Sequence, residues 1–120
     1  VKRRLLSFRY AWEGFVHAIR SERNMQIHIV SAAAAVVLGM IGRLTAGEWL
    51  WIALAIALVW SAECFNTAIE RLTDLYGAER HPLAKAAKDT AAAAVLITAV
   101  FAGIVGAVVL LPAVIQQLGI

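Results

Sequence analysis

Apolar residues recur at Leu5, Phe8, Trp12, Phe15 and Ile19, in alternating steps of three and four, while Arg3, Arg4, Arg9, Glu13, His17 and Arg20 fall largely elsewhere. This period predicts a basic amphipathic helix over about 2–21. The pattern then changes. From Asn24 to Gly42 and again from Thr90 to Ile120 there is no Asp, Glu, Lys or Arg, and each run is long enough to cross about 30 Å of hydrocarbon. Between them lies a third apolar stretch, Glu48 to about Tyr76, which carries acids in its second half. The expectation is an all-α membrane protein with one domain over 1–120. It has an interfacial helix at about 2–21 and spans at about 25–44, 48–76 and 84–111.

Composition agrees with this pattern. The chain has 120 residues and is 62% hydrophobic, with a mean hydropathy of +0.76, which is too apolar for an ordinary soluble domain. Its single cysteine, Cys64, excludes an intrachain disulfide and any multi-cysteine metal site. Local punctuation suits three spans. Trp49 and Trp51 belong at the outer interface, Gly77 stops the second helix, and Pro82 starts the next. Small residues at Ala99/Gly103 and Ala102/Gly106, each pair four apart, are expected to let helix backbones approach closely.

Charge placement adds a direction. Lys2, Arg3, Arg4, Arg9, Arg20 and Arg23 precede the first span, and Arg71, Arg80, Lys85 and Lys88 surround the second loop, whereas the first loop holds Arg43 beside Glu48. Cationic loops stay inside, so the N-terminus and the loop 73–89 are expected in the cytoplasm of a bacterial inner membrane and the C-terminus outside. The net charge of +3 then reflects topology and attraction to anionic headgroups, not a nucleic-acid site.

The acids of the second span are the chemical anomaly. Glu63, Asn66 and Glu70 fall within an arc of roughly 60° on one helix face, and Asp74 continues it. Two inserted carboxylates cost about 5 to 7 kcal/mol, while the Leu, Ile, Val and Phe residues from Leu50 to Leu72 return about 4 kcal/mol. Such a helix requires compensation from neighbours, a cation or a shallow position, which marks the acids as a functional site. Glu22 and Glu70 are expected at the same membrane face, where they can share a hard cation through oxygen ligands or pair with arginines. Glu63 lies about 10 Å deeper than Glu70, and desolvation suits it to accepting a proton from a lipid hydroxyl. Asn66, one turn away, either orients Glu63 or bridges helices. Lys88, near the start of the third span, faces an unfavourable helix dipole that a polyphosphate would relieve. Asp89 beside it points in another direction. His28 and His81 have no metal-ligand spacing and read as polar contacts. No GxxxxGK[ST] and no strand-borne GxGxxG is present.

The run Ala62-Glu-Cys-Phe-Asn-Thr-Ala-Ile-Glu70, Asp74, and Ala87-Lys-Asp-Thr-Ala-Ala-Ala-Ala-Val-Leu96 resemble the prokaryotic diacylglycerol kinase family, and Tyr10-Ala-Trp-Glu-Gly14 with Ser21-Glu-Arg-Asn24 fit its N-terminal part. The resemblance implies a lipid kinase that uses ATP and Mg2+ to phosphorylate a membrane lipid alcohol, assembled as a homotrimer with active sites shared between subunits. It implies that Glu63 is the general base supported by Asn66, that Glu22 and Glu70 bind the magnesium, and that Lys88 and Asp89 contact phosphates. Arg3, Tyr10, Glu79, Arg80 and His81 match positions lining the nucleotide site. Asn24-Met-Gln-Ile-His28 and Asn66-Thr67 look more like the undecaprenol kinase branch than the diacylglycerol branch. Rival classes are a small proton-coupled transporter in which Glu63 and Glu70 relay protons, and a non-catalytic assembly protein.

Overall fold

The computed structural model describes residues 1–77 and 81–120, and all regular structure among them is helical. Helix α1 spans Lys2–Ser21, α2 Arg23–Ile41, α3 Ala46–Tyr76 and α4 Pro82–Val105; a π-helical segment, Gly106–Leu110, carries α4 into α5, Leu111–Leu118. Three of these units, Arg23–Ile41, Ala46–Tyr76 and Pro82–Leu118, are long and apolar enough to cross a membrane. The multi-pass arrangement expected from the hydropathy pattern is therefore present, with a separate N-terminal helix.

A single extended residue, Glu22 (φ −119°, ψ 116°), separates α1 from α2. The Gln26 side chain donates across this break to the Ile19 carbonyl at 3.0 Å, so the corner is tied from both sides. On α1, Ala18 is buried, and Phe15 stacks at 5.5 Å on Trp60 of α3. Leu5, Phe8 and Trp12 remain exposed, an apolar stripe suited to an acyl boundary.

Helix α2 ends in a tight turn in which Arg43 adopts φ 52°. Glu48, expected only as an outer-loop charge, instead completes a capping box. Its backbone N–H donates to Thr45 Oγ1 at 3.2 Å, and its carboxylate accepts from Thr45 N–H at 2.9 Å. Gly39 is required nearby, because a Cβ there would lie 2.6 Å from the Trp49 ring. Around this end Leu44, Ile52, Ala55, Val105 and Leu110 form the apolar core.

Helix α3 is 31 residues long, about 46 Å at 1.5 Å per residue, and so outruns the hydrocarbon by about 15 Å. Gly77, at φ 69°, terminates it as expected. At the start of α4, Pro82 occupies the first turn, and His81 Nδ1 accepts the Leu83 N–H at 3.1 Å. The helical run that begins at Pro82 continues to Leu118. Pro112 has no N–H for the turn before it, and the wide Gly106–Leu110 segment accommodates that loss without ending the helix.

Among the small residues of α4, Ala102 packs against the apolar core, whereas the two glycines stand open. Nothing lies within 4 Å of a Cβ placed on Gly103 or Gly106. Within one chain they do not seat a neighbouring helix; with Ala99 and Ala102 they line a cavity of about 400 Å³ between α2, α3 and α4.

Candidate functional site

Among the described residues the buried polar side chains, Glu63, Asn66, Thr67 and Thr73, all belong to α3. Helical period places the first three on the face turned toward α2 and α4, and packing closes it off. Glu63 is 0% exposed, and neither of its carboxylate oxygens has a hydrogen-bond partner. Thr67 Oγ1 donates to the Glu63 carbonyl at 2.9 Å, leaving the side chain free. Asn66 Nδ2 donates to Glu70 Oε1 at 3.1 Å, one turn along the same helix, and the same side chain lies beside Glu63.

His28 of α2 lies nearest to Glu63 in charge-pairing terms, with Nε2 3.6 Å from Glu63 Oε2. Both nitrogen and oxygen are buried and without hydrogen bonds. This is the residue that sequence reasoning undervalued. A signal was present: His28 is six residues below Glu22 and Glu63 is seven below Glu70, about 9 and 10 Å respectively, so two antiparallel helices with their acids level bring His28 and Glu63 level too.

At the upper level Glu22 and Glu70 meet. Glu22 sits at the α1–α2 corner, and its carboxyl holds a proton more tightly than an ordinary glutamate. Burial is the largest cause, followed by the hydrogen bond and the negative charge of Glu70, with Glu63 adding a little; Arg71 opposes them. Arg71 Nη2 pairs with Glu22 Oε1, and its Nη1 donates to Asp74 Oδ2 at 3.2 Å. Asp74 Oδ1 in turn lies 3.9 Å from Lys88 Nζ. A chain of alternating charge, Glu22–Arg71–Asp74–Lys88, therefore joins the α1–α2 corner, α3 and α4 at one end of the molecule.

The other expected residues sit apart from this cluster. Asp89 faces away from Lys88 and accepts from Lys85 Nζ at 2.6 Å. His81 caps α4. Arg3 and Tyr10 are exposed on α1, about 28 and 18 Å along its axis from Glu22 at 1.5 Å per residue. Glu79 and Arg80 lie outside the described residues. Among the described residues no three His, Cys, Asp or Glu side chains converge as a closed metal cage; the acids form an open pair.

Comparison with known proteins places this arrangement. The family model described as prokaryotic diacylglycerol kinase matches residues 9–110. The chain is 44% identical over 106 residues to the undecaprenol kinase of Bacillus subtilis, covering 88% of this chain and 86% of that one. It is 44% identical over 109 residues to the diacylglycerol kinase of Synechocystis, covering 90% of this chain and 62% of that protein. With the diacylglycerol kinase of Escherichia coli it shares 33% identity over 101 residues, 84% and 83% of the two chains. The match takes in the Glu22 corner, the acidic face of α3 and the start of α4, and the chain belongs to the prokaryotic diacylglycerol kinase family, a family of membrane lipid kinases.

Proposed function

We propose that this protein transfers the γ-phosphate of ATP to the hydroxyl of a membrane lipid alcohol, with undecaprenol as the preferred acceptor over diacylglycerol. The observation that carries the mechanism is the placement of a fully buried, unpartnered carboxylate, Glu63, about 10 Å along α3 from the Glu22–Glu70 pair. A base at that depth suits a lipid hydroxyl, and acids at the surface suit a water-soluble nucleotide.

Glu63 accepts the hydroxyl proton as the oxygen bonds to the γ-phosphorus and the bond to the β-phosphate oxygen breaks, releasing ADP. Lys88, on the same end of the molecule, offsets phosphate charge, and Asn66 fixes the Glu70 carboxylate through its 3.1 Å hydrogen bond. The family implies magnesium, and the acids fit it. Glu22 and Glu70 lie near enough for Glu70 to raise the proton affinity of Glu22, they offer hard oxygen donors, and an open pair suits an ion that keeps waters and phosphate oxygens as further ligands. Bound there, the ion would neutralise charge on the transferring phosphate.

Arg3 and Tyr10 lie about 28 and 18 Å along the α1 axis from Glu22 of their own chain. This supports a homotrimer in which α1 of one subunit serves the site of the next. The basic segments support an orientation with α1, Glu22, Glu70 and Lys88 at the cytoplasmic face and the C-terminus outside. The acceptor preference draws on the Bacillus subtilis relative and on Asn24 to His28. Phosphorylation of undecaprenol and of diacylglycerol in the same mixed micelles tests it. Undecaprenol should be preferred by kcat/KM, and a tenfold preference for diacylglycerol would reverse the assignment. Absence of lipid-dependent ATP consumption with both lipids would overturn the kinase mechanism itself.

A further inference from the structure

Glu63 has a neighbour whose position the transfer mechanism leaves unused. His28 enters from α2 with a side chain 17% exposed, and its Nε2 stands 3.6 Å from Glu63 Oε2. Both atoms are buried without a hydrogen bond. Two complementary polar groups left unmatched in an apolar interior are costly. A closure of under about 1 Å brings them to the ordinary N–H···O distance.

Several polar groups near the base are committed, although Trp60 Nε1 and Asn66 Oδ1 are, like His28 Nε2, buried without a partner. Asn66 Nδ2 is bonded to Glu70, Thr67 Oγ1 to the Glu63 carbonyl, and Thr73 Oγ1 to the Glu70 carbonyl at 3.0 Å. Among the described residues, His28 is the one basic side chain within pairing distance of Glu63. It also lines the cavity between α2, α3 and α4 with Ser31 and Trp60, so the His28–Glu63 pair stands beside an apolar space within the bundle.

We propose that His28 is a positioning residue for the base: its Nε2–H donates to Glu63 Oε2, fixes the carboxylate plane, and leaves Oε1 to accept the proton of the lipid hydroxyl. An imidazole nitrogen carrying hydrogen can donate in either charge state, so the contact does not require an ion pair. The contact joins α2 to α3 at the depth of the base, and it makes the orientation of Glu63 depend on the packing of these two helices. The inference rests on Glu63 being the base.

The test uses the full-length protein in mixed micelles, with kcat and the KM for magnesium-ATP measured for H28L, H28Q, E63Q and the H28L/E63Q double variant. H28L should lower kcat by about tenfold to a hundredfold, the range of a hydrogen bond to a charged group. The KM for magnesium-ATP should stay within about twofold, because Glu22, Glu70 and Lys88 are untouched. H28Q, which restores an N–H donor, should recover several-fold over H28L, and H28L should cost nothing further in the E63Q background, as expected when two residues act through one another. A kcat for H28L within twofold of the parent, or losses that multiply in the double variant, would overturn the proposal. Should H28L not fold, a kcat for H28Q indistinguishable from that of E63Q would overturn it as well. Full activity of E63Q would sink the base assignment, whereas an inactive E63Q beside a normal H28L would remove His28 alone.

Discussion

Arg71 of α3 bridges two carboxylates, pairing with Glu22 at the α1–α2 corner and with Asp74 at 3.2 Å one turn along its own helix. The residues it joins are 49 positions apart in one case and three in the other. One guanidinium thus fastens the N-terminal helix to the second span while occupying the charge of a proposed magnesium ligand. Magnesium bound as proposed would compete with Arg71 for Glu22.

That competition has a measurable consequence. Arg71 is 42% exposed, so water screens the pair and its strength is that of a surface ion pair, about 0.2–1 kcal/mol. In R71Q the concentration of magnesium giving half-maximal activity should fall by about twofold to fivefold. A magnesium titration at saturating ATP checks this. An unchanged or increased requirement would mean that Arg71 assists the ion.

The raised proton affinity of Glu22 should make magnesium binding, as proposed, pH-dependent. Burial first, and Glu70 second, raise the affinity of this carboxyl for a proton, so the protonated form persists to higher pH than for a free glutamate. A cation entering the pair must expel that proton. The magnesium requirement should therefore rise as pH falls through the raised value and level off above it. Half-saturation that stays constant as pH falls from neutrality into the acid range would contradict a raised proton affinity at Glu22.

Replacing the base should separate binding from turnover. Glu63→Gln keeps the volume of the side chain but cannot accept the proton, and it is remote from the nucleotide end. Magnesium-ATP binding should persist while kcat falls by about 10²–10⁴-fold, the range for loss of a general base. Equilibrium binding of a non-hydrolysable ATP analogue together with steady-state rates provides the measurement. Near-normal turnover would remove Glu63 from the mechanism.

At the opposite end of the bundle, stability and activity should part company. Gly39→Ala would drive a Cβ to 2.6 Å from the Trp49 ring, an overpacking expected to cost about 1–3 kcal/mol. The apparent melting temperature in detergent should fall, while activity per folded molecule at low temperature stays near the parent value. An unshifted melting temperature would show that the Trp49 ring moves aside freely.

The helical elements were legible because each is dictated locally. The three-and-four spacing from Leu5 to Ile19, the uncharged runs, and Gly77 and Pro82 as stop and start all operate within a few residues, and the structure places helices accordingly. Glu48 was misjudged because a capping box is defined by a reciprocal pair, and attention to charge alone passed over Thr45. Past the third apolar run the helix continues through Pro112 to Leu118, with a π-helical segment, Gly106–Leu110, just before the proline.

The site divides along the same line. By itself the chain determined that Glu63, Asn66 and Glu70 share one face, since the 3.6-residue period requires nothing beyond α3. It also determined that Glu63 lies deeper than Glu70, since rise per residue is a property of one helix. Only the tertiary structure decided what those side chains meet: that Asn66 bonds Glu70, that Arg71 takes Glu22, and that His28 faces the buried Glu63 carboxylate at 3.6 Å. Periodicity specifies direction and depth along an axis, whereas contact depends on the rotation and separation of two helices, which are set by packing at Ala18, Met25, Ala55 and their neighbours across the whole bundle.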